Sequence, residues 1–482
     1  MERSLQLPNQ LMEQALPNHA LPQPRAASPL IAEGVATVFM ALVLPLCLYA
    51  VNFAPLGRLL YPAANFLLAG FLFSRRSPWY AAHCLLVFCF VSLARRLIDD
   101  QAGFDASNPA LLTPYLCGLY TVITFFEYWS RPKPKKLGAF LVLLGCIAYG
   151  TALALLDGRF RSSIVDVLKW SIGPLFAVYL LANRDAIPGL RRTFEPCLIA
   201  AAVAMSLYGV AQFVSPASWD ANWVRGVAEL GFNSLGRPEP FQLRVFSTMN
   251  SPGAFGAILS AAIVLSLKRR LPVCLICVAP MLVGLALCQY RSLWVATALA
   301  IVLVAVAPSA GVRRSNILAL FLAALALAST ALSPQIREAV VQRAATLTEL
   351  EGDESLRKRL EQYSDVLEHD NLIVGDGLAI NGASRRLDNR AVVEIDGALI
   401  EVYRAMGVFV GTAFILAIAV LVAGLFRAAP AVGSHIYYDR AIVVALFAQF
   451  PIGTVHVGEI GFCAWNFLGF GLAARLAAEE LA

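Results

Sequence analysis

Residues 137–156 read LGAFLVLLGCIAYGTALALL, twenty positions without an Asp, Glu, Lys or Arg. A helix of that length rises about 30 Å, the thickness of a bilayer's hydrocarbon core, and water-soluble folds rarely contain one. The segment is not isolated. Apolar runs of near-spanning length begin around Pro29, Leu59, Trp79, Ala110, Leu137, Ile164, Phe194, Ser251, Leu271, Ser292, Asn316, Ala398, Tyr438 and Val457. They predict an all-α, polytopic transmembrane bundle of about 12–14 helices. The composition agrees: 59% of the 482 residues are hydrophobic and 15% charged, where a soluble chain carries about 25% charged. The short alternating segments of a transmembrane β-barrel are absent.

The runs divide the chain. Residues 1–28 are polar, contain proline and predict a disordered tail, and the apolar run that follows is too long for the core of a signal peptide. Residues 29–332 predict a transmembrane bundle interrupted by a loop at about 215–250, rich in Pro, Trp and Gly. Residues 333–397 form a second long loop with 13 acidic and 8 basic residues, and residues 398–476 return to the membrane. Within the second loop Leu350, Leu356, Leu360, Tyr363 and Leu367 fall roughly on one helical face, which predicts a small helical cap. Loops this long are usually functional or separately folded.

Net charge is +6, which a membrane protein explains first by loop orientation rather than by a nucleic-acid partner. With a cytoplasmic N-terminus, 16 basic residues lie in the cytoplasmic loops, among them Arg75, Arg76, Lys135, Lys136, Lys268, Arg269 and Arg270, against nine on the other side when the long 333–397 loop is left out. The positive-inside rule therefore puts both termini in the cytoplasm and both long loops outside. All ten cysteines sit in or beside apolar runs, so no disulfide framework is implied, and Cys274 with Cys277 inside an apolar helix reads as small-residue packing.

Ionisable residues at the ends of spans are the places to look for chemistry, because burying them costs several kcal/mol unless something pairs with them. Four stand out. In LRVFSTMNSPGAFG, Arg244 precedes Ser251–Pro252, a good N-cap and first helical position; the free N–H groups there and the arginine suit a phosphate, and an arginine reaching to headgroups suits the same sequence. In CQYRSLW, Arg291 occupies a tight turn on the same face, and two guanidiniums together suit a diphosphate. In VVEIDGALIEVYRAMG, Glu394, Asp396, Glu401 and Arg404 cluster where the second loop re-enters the membrane. Asp396 and Glu401 are candidate general bases, Asp396 is equally an acid placed for the helix dipole, and Glu401 and Arg404 are spaced to pair. In TVHVGEIG, His456 with Glu459 is a base or acid by its intrinsic pKa, or a structural residue. No metal-ligand spacing, nucleotide loop or serine triad accompanies them.

Taken together the pattern resembles the O-antigen ligase and polymerase superfamily, bacterial inner-membrane proteins acting on undecaprenyl-diphosphate-linked glycans at the periplasmic face. RVFSTMNSPGAFGAIL and CQYRSLWVATALAIVLV are similar to its arginine-bearing helix starts. SLRKRLEQYSDVLEHDNLIVGDGL resembles its long-loop signature through Arg359, Tyr363, Gly375 and Gly377, and IDGALIEVYRAMGVFVG resembles the segment after it. The resemblance spans roughly residues 240–411. It implies a metal-independent, cofactor-free, inverting glycosyl transfer, with Arg244, Arg291 and Arg359 binding the diphosphate and Asp396, Glu401 or His456 acting on the acceptor hydroxyl. Ligases of the family carry a histidine where this chain has Asp396, which leans the reading toward a polymerase of exopolysaccharide or O-antigen. A flippase and a chain-length regulator of the same pathway are its implied partners. A ligase, a transporter and a non-catalytic assembly partner are the competing readings.

Overall fold

The computed structural model describes residues 27–131, 137–231, 234–307, 316–317, 357, 360–364, 371–393, 395, 397–427 and 435–481. Among them the fold is all-α, with nine helices long and apolar enough to cross a membrane. These are α1 (Leu30–Ala50), α2 (Ala54–Ser74), α3 (Trp79–Ala102), α4 (Pro109–Trp129), α5 (Leu137–Leu156), α6 (Phe160–Ala182) and α7 (Arg184–Val214), followed much later by α12 (Ala398–Phe426) and α14 (Gly458–Glu479). Between α7 and α12 lie α8 (Ser218–Glu229), then three shorter apolar helices, α9 (Pro252–Ser266), α10 (Leu271–Leu287) and α11 (Arg291–Val306). Helix α13 (Ile436–Phe447) precedes α14. The chain is a multi-pass membrane protein by helix length and hydropathy. Extended pairing among the described residues is limited to one isolated bridge, Gly236 with Leu243.

The loop after α7 contains a helix, α8, that its Pro- and Trp-rich sequence did not announce. It anchors a fully buried charge. Arg96 on α3 pairs with Asp220 on α8 at 2.9 Å with both side chains fully buried, and donates as well to the carbonyls of Ser247 and Met249. An arginine in a span must find a counter-charge and carbonyls, and α8 with the 245–250 turn supplies both. At the opposite end of the bundle a second buried network joins Arg191, Glu195 and Asp439, with Lys268 and His435 at its edge.

Helix α9 starts as its sequence predicts: Ser251 is the N-cap, its Oγ accepting from the Ala254 N–H at 3.1 Å, and Pro252 occupies the first turn. All of its residues are buried, so it is walled in by other helices.

Helix α12 is broken. Gly407 sits at φ 71, ψ 175 in the middle of it, which releases the backbone groups on either side. The segment 372–377 takes them up: the N–H groups of Asp376 and Gly377 donate to the carbonyls of Arg404 (2.7 Å) and Ala405 (2.9 Å), and the Val408 N–H donates to Leu372 O at 2.9 Å. The same segment grips α5, through Leu378 N–H to Gly150 O at 2.8 Å and Tyr149 Oη to Val374 O at 2.9 Å. The glycines are there because two backbones meet: a Cβ on Gly377 would lie 2.4 Å from the Ala154 nitrogen, and one on Gly407 2.2 Å from Ile373 O. Of the second long loop, the described part from residue 371 onward is thus a wedge between α5 and α12 followed by a 3-10 turn, Ala383–Asp388. Most of the stretch with helical spacing, residues 349–356 included, lies outside the described residues.

Candidate functional site

The two long loops, the α5–α6 turn, the start of α11 and the α13–α14 turn converge at one end of the bundle. Arg244 is reached first. Its backbone N–H bonds to Leu235 O and its guanidinium donates to Ser234 O (2.9 Å) and Gln289 O (3.4 Å), two residues before Arg291. Arg291 is the first residue of α11, and its neighbour Ser292 donates to Gln449 Oε1 at 3.2 Å. The structure therefore brings Arg244 to the start of the Arg291 helix, each half-buried.

The α13–α14 turn links this corner to α12. Ala398 N–H bonds to Gly453 O and Leu399 N–H to Phe450 O, which places Glu401, one turn into α12, beside His456. Their Oε2 and Nε2 are 3.7 Å apart, with Glu401 5% and His456 2% exposed. The imidazole packs edge-on to Trp170, ring centroids 4.3 Å apart, with Phe414 and Phe450 around it. Burial pushes His456 down to about 3, so it is neutral in ordinary buffers. Glu401 and Arg404 do not pair as their spacing suggested: Arg404 turns to Asp376, 3.5 Å away, because the wedge occupies that side of α12. Glu459 falls in the first turn of α14. Asp396, Glu394 and Arg359 lie outside the described residues.

Beyond Glu401, on the side of α5 and α6, is a cavity of about 560 Å³ lined by the arginines Arg159, Arg385, Arg390 and Arg404 with Asp157 and Asp376. Arg159 is consumed by the fold, donating to the carbonyls of Leu378 (2.6 Å) and Asp376 and pairing with Asp157 at 2.9 Å. Arg390 holds Asp157 by both its carboxylate and its carbonyl, each at 2.7 Å. That bond holds the Asp157 carboxyl below its ordinary range. Arg385 bonds to the carbonyls of Ala391 (2.7 Å) and Ile380 (2.9 Å), and burial, then the nearby guanidiniums of Arg159, Arg390 and Arg404, lower its pKa. Reading single residues missed this cluster. Its members come from the α5–α6 turn, the second loop and α12, and the one local signal was RRLDNR at residues 385–390.

An all-α bundle with this polar end defines a polytopic helical membrane protein. No protein-family model, curated protein or solved structure matches the chain. Among the described residues no group of three His, Cys, Asp or Glu side chains is placed to hold a metal ion.

Proposed function

We propose that this chain is a glycosyltransferase of the bacterial inner membrane that polymerises undecaprenyl-diphosphate-linked oligosaccharide repeat units at the periplasmic face, with both termini cytoplasmic. The observation that carries the reading is the meeting of Arg244 with the start of the Arg291 helix at the loop-bearing end, in the two motifs that resemble O-antigen polymerases and ligases. Two guanidiniums at a helix start suit a diphosphate, and their charge favours its departure. In this reading the acceptor hydroxyl oxygen bonds to the anomeric carbon from the face opposite the diphosphate, the bond from that carbon to the diphosphate oxygen breaks, and the diphosphate leaves on its lipid. The hydroxyl proton passes to the Asp396 carboxylate, with Glu401 and His456, both enclosed and 3.7 Å apart, held in reserve. No metal or cofactor is needed.

Transfer of finished glycan to an acceptor, as in a ligase, uses the same groups. A transporter has one observation in its favour, the break in α12, since transporters place substrates at interrupted helices. The glycans of a strain carrying Arg291→Ala, sized beside wild type and a deletion, separate the three. Loss of long polymer with accumulated single-repeat diphosphate lipid supports the polymerase, and full-length polymer stranded on the carrier supports the ligase. Unchanged glycans in both strains sink transfer altogether.

A further inference from the structure

We infer that the arginine-lined cavity between α5, α6 and α12 is a second anion site, separate from Arg244 and Arg291, that takes the terminal phosphate or diphosphate of a membrane lipid. The charge is the first reason. Four guanidiniums face two carboxylates, which leaves two positive charges among the lining residues. The surplus is local: Arg385 bonds only to backbone carbonyls, and Arg404 has one long contact with Asp376 while its buried Nε has no hydrogen-bond partner among the described residues. Arg159 and Arg390 share the single Asp157 carboxylate and are tied to the backbone, so they serve as walls and still leave one of the two surplus charges in the cavity, the other being that of Arg385. Forked donors with an unmatched charge of two suit a phosphomonoester or diphosphate better than a phosphodiester headgroup, which carries a single charge.

The border of the cavity says where the anion comes from. Leu156, at the end of α5, is 85% exposed, and Phe160, Ile373 and Phe409 are also exposed. Leu156 lines the cavity itself; Phe160 follows Arg159, and Ile373 and Phe409 flank the wedge where it meets α12. Large apolar side chains around a charged hollow at the end of a span face lipid, so the ligand's head enters from the bilayer with its tail along α5 and the wedge. A volume of about 560 Å³ holds more than a diphosphate, leaving room for a sugar attached to it.

This inference stands whether or not the chain transfers sugars, and binding tests it without activity. The purified full-length protein is titrated with a polyprenyl diphosphate, with phosphatidylglycerol and with inorganic pyrophosphate, and bound lipids are counted by native mass spectrometry. The expected result is two diphosphate lipids per wild-type chain, one in Arg385→Gln/Arg404→Gln and one in Arg244→Gln/Arg291→Gln. Each single variant in the cavity weakens the second binding event about tenfold. Arg404→Gln, whose side chain holds little of the fold, guards against a loop loosened at Arg385. A cavity variant that still binds two overturns the proposal, as does a wild-type chain that binds only one, lost with Arg244 and Arg291. Phosphatidylglycerol filling the cavity equally well overturns the preference for a terminal phosphate, and inorganic pyrophosphate competing as well as the lipid overturns the lipid source. If the Arg244 variant still binds two while the cavity variant binds one, the cavity stands and the diphosphate role of Arg244 and Arg291 falls.

Discussion

Replacing Gly407 by alanine tests the break in α12 directly. The added Cβ would lie 2.2 Å from the carbonyl oxygen of Ile373 and 2.7 Å from its carbon, both backbone atoms, so the wedge has to retreat by roughly 1 Å to restore contact distances. The residue also sits at φ 71, ψ 175, a conformation reserved for glycine that costs another side chain about 1–3 kcal/mol. Retreat of the wedge endangers three backbone hydrogen bonds, Asp376 to Arg404, Gly377 to Ala405 and Val408 to Leu372, each contributing about 1 kcal/mol. The sum is about 4–6 kcal/mol against the native arrangement. Gly424→Ala is the control: it lies in the same helix, and its Cβ would meet only Leu472 at 3.5 Å, so helix propensity makes it neutral or slightly stabilising. The assay is the thermal midpoint of the detergent-solubilised protein, followed by size-exclusion chromatography with fluorescence detection. Equal midpoints for Gly407→Ala and Gly424→Ala would mean that the wedge does not hold the broken helix.

Three further outcomes follow from single polar side chains. Arg96→Met strands the Asp220 carboxylate, which keeps only the Tyr208 hydroxyl at 2.7 Å, and lowers stability by about 3–5 kcal/mol; Arg96→Met/Asp220→Leu recovers much of that, and a double variant no better than the single one counts against a true pair. His456 titrates near 3 when folded against 6.5 when free, so the unfolded chain binds the extra proton between those values. Its contribution is complete above pH 6.5 and falls by about 1.4 kcal/mol per pH unit below it, about 2 kcal/mol by pH 5; unfolding midpoints from pH 7.5 to 5 should fall less steeply in His456→Phe, and an unaltered slope refutes the assignment. Ser251→Ala removes the cap of α9 and lowers stability by about 1 kcal/mol, measured as a midpoint shift that Ser251→Asp should largely restore.

The spans were legible because burial in lipid leaves a one-dimensional trace: run length and charge alone locate α3, α5 and α12. The cap at Ser251–Pro252 was equally local. The convergence of Arg244 and Arg291 on one end followed from counting crossings. What sequence reading could not supply depends on chain segments far apart in sequence. Glu401 faces His456, 55 positions on, instead of Arg404, since the wedge decides which side of α12 each faces. The break at Gly407 is hidden inside an apolar run, where a glycine reads as a packing residue until Ile373 is known to press against it. The arginine cavity is hidden for the same reason, Arg159 and Arg385 being separated by more than two hundred residues.

Helices α10 and α11 have 17 and 16 residues, about 25 Å of rise, yet they present Val273, Ile276, Val295, Leu299, Val302 and Val306 outward. By length alone these helices match a thinner slab of bilayer than α5 and α6 do, a difference a membrane meets by local thinning, by flanking residues reaching outward or by association of copies. The hydrophobic girdle of this protein is thus uneven around its circumference. A bilayer that follows that girdle is thinnest on the flank where α11 and its first residue, Arg291, stand.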